Sequence, residues 1–394
     1  MRLNTITLVI LCFLSLVVST PAQEDPATLP ENFPEVTIDV STNPSPGVVY
    51  IANMRRTGTT DEDGQTFRPF VFSVDNEGDP TFIRPIPFMW SFHFGRSEVT
   101  GQRFFYQVTQ PPKGRGAAFD GMYRVMNDDG AIIRDVTARN GLPTQAHDFL
   151  MLPNGNVLVM SQPLRVRNLM PFGGPPAANL VEIVIQEIDE RGRVVFEWRS
   201  WEHVRPDETA AENELQNTPP GVASYIHVNG FALDRDGNII LSARRFDELI
   251  KINRQTGRIM WRMGSQASKN NEFTFIDAPL NGFSGQHHPQ ILPNGNLLLF
   301  DNGTTHDPQQ SRVVEYEIDE EAKTARLVWS YSDGRFSPAM GSVQRLPNGN
   351  TLIGWGSGPA ELSNVTEVTP DGEVVFALSL PPNQITYRAY RFDS

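Results

Sequence analysis

Four of the seven histidines lie at the same place relative to a recurring turn. His93, His147 and His287 each precede a predicted turn glycine by eight residues, and His227 precedes its own by ten. A neutral imidazole nitrogen is a competent nucleophile near neutral pH, because the ordinary pKa of histidine is about 6.5. Any one of these histidines alone is simply explained as a hydrogen-bonded core residue. If the fold brings them together, the pattern predicts a site that binds and attacks a substrate.

The polar residues near these histidines are mostly cationic or hydrogen-bonding. They are Asp148, Asn229, Arg244, Gln286, Asp301, Asn302 and Arg312. A metal site would use three histidines and a carboxylate, but Arg244 would repel the cation. An anion site would use arginine and histidine donors to hold a sulfate or phosphate ester. We favour the anion site and expect no metal.

The elements that position these residues repeat along the chain. Leu-Pro-Asn-Gly-Asn occurs at 152–156, 292–296 and 346–350, and Asp-Gly-Asn occurs at 236–238. Each lies beside an apolar run, which is the pattern of a tight β-hairpin. A second segment follows each hairpin, and in it apolar and polar residues alternate on both sides of a polar turn. This segment is predicted to form a second hairpin, so each repeat is expected to form four antiparallel strands.

Six such units predict an all-β fold, a six-bladed β-propeller with four-stranded antiparallel blades over residues 46–394. Two weaker units, at 48–86 and 101–136, supply the first two blades. A pair of β-sandwiches is the alternative, but sandwiches do not repeat one signature in this way. Because the first strand of each blade lines the central channel, the same-phase histidines are expected to face one another.

Residues 1–22 carry Arg2 and a short apolar run, which predicts a secretory signal peptide and a secreted or periplasmic protein. The alternative, a membrane anchor, needs a longer run of about 20 residues. Cys12, the only cysteine, lies within this predicted signal peptide. Residues 23–45 are expected to form a spacer and a short β segment. The formal net charge of −13 argues against a nucleic-acid partner.

Several motifs, taken together and in order, resemble the arylsulfotransferase family. They are His147-Asp148 before its hairpin, Tyr225-Ile-His-Val-Asn229, Ser242-Ala-Arg244, the segment from Lys251 to Trp261, Gln286-His287, Phe300-Asp-Asn-Gly303 and Ser311-Arg312. The resemblance is close over roughly 140–375 and looser upstream. It implies an exported six-bladed propeller that moves a sulfuryl group from a phenolic sulfate ester to an acceptor phenol without a cofactor. The family's route is ping-pong, through a sulfated histidine.

The resemblance also implies roles for residues. His287 matches the histidine that becomes sulfated, although His288 beside it competes for that role. His147, His227, Asn229 and Arg244 match groups that bind the sulfuryl oxygens and assist the leaving phenolate. Gln286, Asp301, Asn302 and Arg312 are expected to bind substrate. The family's serine or threonine near the last blade has Ser342 as its nearest counterpart, and His93 has no implied role beyond a structural hydrogen bond.

Four aromatic residues are further candidates for contact with the aryl rings, namely Phe92, Phe149, Tyr225 and Phe283. Two other functions stay open. The channel of a non-catalytic propeller could bind an anion or its rim a protein, and a related hydrolase would transfer the sulfuryl group to water. The oligomeric state and the natural donor and acceptor are not predicted.

Overall fold

The computed structural model describes residues 29–56, 67–87, 90–110, 120–209, 222–265 and 268–393. The predicted signal peptide lies outside these ranges. Within them, no helix is long and apolar enough to cross a membrane.

The chain forms six antiparallel blades in sequence order, which confirms the predicted β-propeller. One strand precedes the blades, β1 (Thr37–Ser41). The first two blades contain β2 (Val48–Arg55), β3 (Phe70–Val74), β4 (Pro80–Pro85), β5 (Phe94–Arg96), β6 (Arg103–Gln110), β7 (Asp120–Met126) and β8 (Ile132–Val136). The third contains β9 (Phe149–Met151), β10 (Val157–Ser161) and, after an insertion with β11 (Leu164–Arg167) and β12 (Ala178–Val181), β13 (Val184–Ile188) and β14 (Val194–Arg199).

A short helix, α1 (Ser200–His203), and the strand β15 (Val222–Ala223) separate the third blade from the fourth. The fourth blade contains β16 (Val228–Leu233), β17 (Ile239–Ala243), β18 (Glu248–Ile252) and β19 (Ile259–Gly264). The fifth contains β20 (Thr274–Ile276) as an outer strand with β21 (His287–Ile291), β22 (Leu297–Asp301), β23 (Arg312–Asp319) and β24 (Thr324–Tyr331). The sixth contains β25 (Ser342–Arg345), β26 (Thr351–Gly354), β27 (Val365–Val368) and β28 (Val374–Ser379).

The C-terminal strand closes the ring. This strand, β29 (Gln384–Phe392), pairs antiparallel with β2 and becomes the innermost strand of the first blade. At the other edge of the sixth blade, β1 adds an outer strand to β28. Both termini of the described chain are therefore built into the propeller, and β29 places C-terminal side chains at the axis.

The repeated hairpin explains why each blade begins as it does. In the third blade the Leu152 amide donates to the Asn156 carbonyl (2.8 Å), and Gly155 has a φ of 83°, a conformation that favours glycine. The last asparagine of the repeat has a second function. Asn156 Nδ2 donates to Oε1 of Glu187 on β13 (2.5 Å), and the same glutamate pairs with Arg254 of the fourth blade (2.6 Å).

The same link recurs between other blades. Asn296 holds Glu315, which pairs with Arg345 of the sixth blade (2.7 Å), and Asn350 holds Glu367, which pairs with Arg391 of the closing strand (3.1 Å). In the fourth blade the charges are reversed. Buried Lys251 occupies the equivalent register and contacts Asp234, Asp236 and, in the fifth blade, Glu320. Each of these four links ties one blade to the next near its turn.

Apolar side chains fill the space between neighbouring blades. One cluster joins the third and fourth blades through Leu158, Trp198, Phe231 and Leu241, all at most 2% exposed. Burial of such residues is the main favourable contribution to folding. The core therefore lies between the sheets, and the polar groups gather at the axis and at the turns.

Candidate functional site

Three of the four same-phase histidines meet at the axis. The rings of His147 and His227 lie edge to face with their centroids 5.1 Å apart. Burial lowers the pKa of His287 well below its ordinary value, and the charge of nearby Arg244 lowers that pKa further. The charge of Arg244 thus affects the pKa values of all three histidines, His147, His227 and His287. The equivalent positions of these histidines in successive repeats predict that they meet.

The fourth histidine, His93, lies in a separate cluster. Its ring stacks on Tyr390 with a centroid distance of 5.7 Å, and its Nε2 is 3.1 Å from the Tyr390 hydroxyl. The residue is 2% exposed. The expected structural hydrogen bond of His93 is confirmed.

The hydrogen bonds of His287 fix the state of its ring. Nδ1 donates to Oδ1 of Asn302 (2.6 Å) and is 3.0 Å from the Gly285 carbonyl, and both of these partners are acceptors. Nε2 accepts the backbone N–H of Met340 (3.2 Å). Because the proton resides on Nδ1, the lone pair resides on Nε2. The neutral ring presents one nucleophilic nitrogen toward the segment 337–341.

His288 has different neighbours. Its Nδ1 accepts the Val343 N–H (3.1 Å), and its Nε2 is 3.1 Å from the hydroxyl of Tyr390 on β29. The backbone has a φ of 49° at His288, where the register of β21 shifts. The two adjacent imidazoles therefore point to different partners, and the lone pair of His288 is already used by Val343.

Arg244 begins a short 3-10 turn, Arg244–Phe246, that follows β17. Its Nη2 donates to the Pro338 carbonyl (2.9 Å), whereas its buried Nε has no hydrogen-bond partner. Burial lowers the pKa of Arg244, and the charge of Arg245 lowers it further. A partly buried guanidinium with an unused donor is suited to bind an oxyanion.

The same electrostatics keep the other two histidines neutral. Burial, followed by the charges of Arg388 and Arg244, lowers the pKa of His147 to about 3. Burial and the neighbouring His147 and Arg244 lower the pKa of His227 well below its ordinary range. In the absence of an anion, both rings are therefore uncharged at neutral pH.

The remaining predicted substrate-binding residues connect the elements around the site. Asn229 Nδ2 donates to the Gln286 carbonyl (2.7 Å), and Gln286 Nε2 donates to the Glu248 carbonyl (2.9 Å). The amide oxygens of both Asn229 and Gln286 are buried and have no hydrogen-bond partner. These two side chains link the fourth blade to Gln286, the residue that precedes His287 in the chain.

Asp301 and Arg312 face each other in a buried ion pair of 2.8 Å. Asp301 also accepts the Ser284 amide (2.9 Å), and Arg312 donates to the Gly282 carbonyl (2.7 Å). Their charged groups thus hold the loop before His287. Asn302 holds the other side, because its Nδ2 donates to the carbonyls of Ser337 and Met340.

The four aromatic candidates for contact with the aryl rings lie in the core. Phe149, Tyr225 and Phe283 are at most 1% exposed and pack between blades, and Phe92 is 8% exposed and packs on Tyr387. Because the rings are enclosed by the core, they offer no face to an aryl group.

The hydroxyl of Ser342, the nearest counterpart of the family's serine or threonine, is bound to the closing strand. Its hydroxyl donates to the Ala389 carbonyl (3.2 Å) and accepts the Ala389 amide (2.9 Å), so it ties the sixth blade to the closing strand. It is therefore committed to ring closure.

The sequence patterns missed the contribution of β29 and of the segment 337–341. Tyr387 lies 5.7 Å from the His147 ring, and Arg388 is paired with Asp148 at the axis. The signal that could have found Arg388 is an arginine flanked by Tyr387 and Ala389 within a predicted strand. Among the residues that the structure describes, no group of three or more histidine, cysteine, aspartate or glutamate side chains is arranged to hold a metal ion.

Comparison with known proteins identifies the family of the chain. The family model described as arylsulfotransferase (ASST) matches residues 66–391. The chain is 26% identical to an arylsulfate sulfotransferase AssT of Escherichia coli O6:H1 and 25% identical to one of Lelliottia amnigena, each over 82% of this chain. The matched region spans 65% of the length of each of these two relatives.

A solved structure of a Bacteroides caccae protein of unknown function has a similar fold. It superposes with a TM-score of 0.50 at 15% identity and covers 88% of this chain and 100% of its own. This likeness concerns the fold alone. The match of the family model over most of the propeller shows that the chain belongs to the arylsulfotransferase family.

Proposed function

We propose that this protein is an arylsulfate sulfotransferase in which His287 carries the sulfuryl group between two phenols. The observation that carries the proposal is the hydrogen bond from Nδ1 of His287 to Asn302 (2.6 Å), which holds the proton on Nδ1 and so places the lone pair on Nε2. In the resting structure this lone pair accepts the Met340 N–H (3.2 Å), and the sulfuryl group would take the place of that contact.

Each of the two adjacent histidines accepts one backbone N–H, from Met340 at His287 and from Val343 at His288. After burial, the charge of Arg244 has the largest effect on the pKa of His287, whereas the other nitrogen of His288 contacts the Tyr390 hydroxyl of the closing strand. The position beside Arg244 favours His287.

In the first half-reaction, the Nε2 lone pair of His287 forms a bond to sulfur. The bond between sulfur and the phenolic oxygen breaks, and the phenolate leaves with that electron pair. Sulfuryl transfer, like phosphoryl transfer, has a loose transition state, so positioning and charge stabilisation supply most of the rate. Arg244, with its unused Nε donor, would bind a sulfuryl oxygen.

Asn302 stabilises the sulfated ring, which carries a positive charge near Nδ1. In the second half-reaction an acceptor phenol gives its proton to the neutral ring of His147 or His227, its oxygen attacks sulfur, and the electron pair of the N–S bond returns to Nε2. His147 and His227 are neutral without substrate, but a bound anion raises the pKa of both rings. They would then donate hydrogen bonds or a proton to the phenolic oxygen of the leaving group.

The other predicted site residues hold the elements around His287 in place, and the proposal gives them no direct contact with the substrate. Asn229 and Gln286 fix β21 against the fourth blade, and Asp301 with Arg312 fixes the loop before His287. No nucleic-acid, membrane or cofactor partner is part of the proposal. We further propose, from the predicted signal peptide at 1–22, that the protein is secreted or periplasmic.

The experiment is an assay of the purified chain with 4-nitrophenyl sulfate, with and without phenol. The proposal predicts 4-nitrophenol release that depends on phenol, and a His287→Asn variant without turnover. His288→Asn is the matched control and should keep transfer activity. Release of free sulfate without phenol would instead identify a hydrolase, and no release with several aryl sulfates would leave a non-catalytic anion-binding propeller.

A further inference from the structure

A buried ion pair joins the closing strand to the residue that follows His147. Arg388 on β29 donates through Nη1 to Oδ1 of Asp148 (2.9 Å) and through Nη2 to Oδ2 (3.1 Å). The two side chains are 2% and 4% exposed. Transferring both charges from water to this interior is costly, and buried pairs of this kind often add little net stability. A role beyond stability is therefore worth testing.

The same two side chains hold the backbone on both sides of the histidine pair. Asp148 Oδ2 accepts the Phe231 amide of β16 (2.9 Å), and Arg388 Nη2 donates to the Asn229 carbonyl (3.1 Å). His147 is adjacent to Asp148, and His227 lies two residues before Asn229. One ion pair thus fixes the first, third and fourth blades at the point where His147 and His227 meet.

We propose that Asp148 and Arg388 are positioning residues for sulfuryl transfer: their ion pair holds His147 and His227 at the correct spacing, and Arg388 balances the charge of the Asp148 carboxylate beside them. The inference rests on the proposed function. It assigns a functional role to the C-terminal strand, which otherwise serves ring closure.

The charge of Arg388 affects the pKa values of several histidines. The charge of Arg388 acts after burial to lower the pKa of His147, and it contributes in the same direction at His93, His287 and His288. Several groups on the surrounding elements face His147 and His287. They are Gln145, His227, Arg244, Gly285, Asn302, Met340, Tyr387 and Arg388. Arg244 and Arg388 are the cations among them.

Three variants separate charge from geometry. Arg388→Met removes the cation and leaves the Asp148 carboxylate, so the pKa values of His147 and His287 should rise. The acid limb of kcat/KM for 4-nitrophenyl sulfate should then move to higher pH. Arg388→Lys keeps the cation but loses the bidentate geometry, so kcat should fall by on the order of 100-fold, with little movement of the pH profile.

The double variant Asp148→Asn/Arg388→Met removes both charges and serves as the balanced control. Its pH profile should return toward that of the wild type, and an apolar replacement of this kind is often tolerated in folding. Thermal unfolding of each variant identifies loss of fold. If Arg388→Met does not fold, Arg388→Gln, which also removes the cation but keeps a hydrogen-bond donor toward Asp148, takes its place, and its pH profile should move in the same direction.

A merely structural role predicts lower activity in every variant with an unchanged pH profile, and that result would overturn the proposal. Histidine resonances followed by NMR through a pH titration provide a readout independent of turnover. If the wild type shows no transfer, the proposed function fails, and the expected rise of the His147 pKa in Arg388→Met still decides the electrostatic claim. If the wild type is active and neither profile nor resonances move, the positioning claim alone fails.

Discussion

Nδ1 of His287 and Oδ1 of Asn302 lie 2.6 Å apart in the interior of the propeller, and this contact fixes which nitrogen of the imidazole carries the proton. Asn302 follows β22, the strand that pairs with the His287 strand. The hairpin therefore supplies both the proposed nucleophile and the group that orients its ring.

Removing the acceptor at Nδ1 should slow the first half-reaction. In Asn302→Ala, the ring loses the partner that holds the proton on Nδ1, and the rate of the initial burst of 4-nitrophenol should fall on the order of 100-fold. Asn302→Asp keeps an oxygen at Nδ1 while losing the two hydrogen bonds from Nδ2. It should therefore retain more of the burst rate. Equal losses in the two variants would show that the amide donors, and not the acceptor, are what matters.

His288 should affect stability more than chemistry. His288→Gln loses contacts to the Val343 amide and the Tyr390 hydroxyl, which should lower the free energy of unfolding by about 1–3 kcal/mol. The rate of transfer should change by no more than a few-fold once folded protein is compared. Urea unfolding with parallel assays measures both quantities. A variant of normal stability that cannot transfer would assign the chemistry to His288.

The depressed histidine pKa values predict that acid destabilises the fold. His93, His147, His227, His287 and His288 are all held neutral in the folded protein, mainly by burial. Below pH 6.5 the unfolded chain binds protons at these positions and the folded chain does not. Stability should therefore fall as pH drops below about 7, with each histidine contributing up to about 1.4 kcal/mol per pH unit.

The matched variant for this prediction is His93→Gln, which removes one such group outside the proposed site. Urea unfolding between pH 7.5 and 5.0 should show a shallower pH dependence in the variant than in the wild type. Carboxylates titrate equally in both proteins, so the difference isolates the histidine. Identical slopes would mean that His93 protonates as readily in the folded state as in the unfolded chain.

A buried link between blades should contribute more to stability than an exposed ion pair within one turn. Glu187 is 4% exposed, and its carboxylate is bound by Asn156 and Arg254. Glu187→Ala leaves both partners unsatisfied and should cost about 1–3 kcal/mol of unfolding free energy. Arg193→Ala removes a pair with Asp189 in which the arginine side chain is 66% exposed, so it should cost less than about 1 kcal/mol. A similar small loss in both variants would contradict a structural role for the repeated asparagine and glutamate.

The repeated hairpins were sufficient to predict the propeller, because Asn-Gly turns and alternating strands are local features. The phase of His147, His227 and His287 likewise predicted their meeting, since equivalent positions of successive blades face the same axis. His93 shares that phase but binds Tyr390, because the adjacent closing strand fills this side of the axis. The spacing of His93 from its turn glycine therefore predicted that it lies near the axis, but not that its partner is Tyr390.

The parts that sequence reasoning missed depend on contacts between distant segments. Arg388 and Asp148 are 240 residues apart, and β29 pairs with a strand near the other end of the chain. No local pattern shows such a pairing. The aromatic residues were misassigned for a related reason, because Phe149, Tyr225 and Phe283 sit near site residues in sequence while their rings turn into the spaces between blades.

The central claim, that His287 carries the sulfuryl group, is tested most directly by mass spectrometry of the intact site peptide. The wild-type protein would be mixed with 4-nitrophenyl sulfate in the absence of acceptor, quenched at alkaline pH and digested. We predict a sulfuryl adduct on His287 that disappears when phenol is added before the quench and is absent from His287→Asn. An adduct on another residue, or phenol-dependent turnover with no adduct at any time, would contradict it.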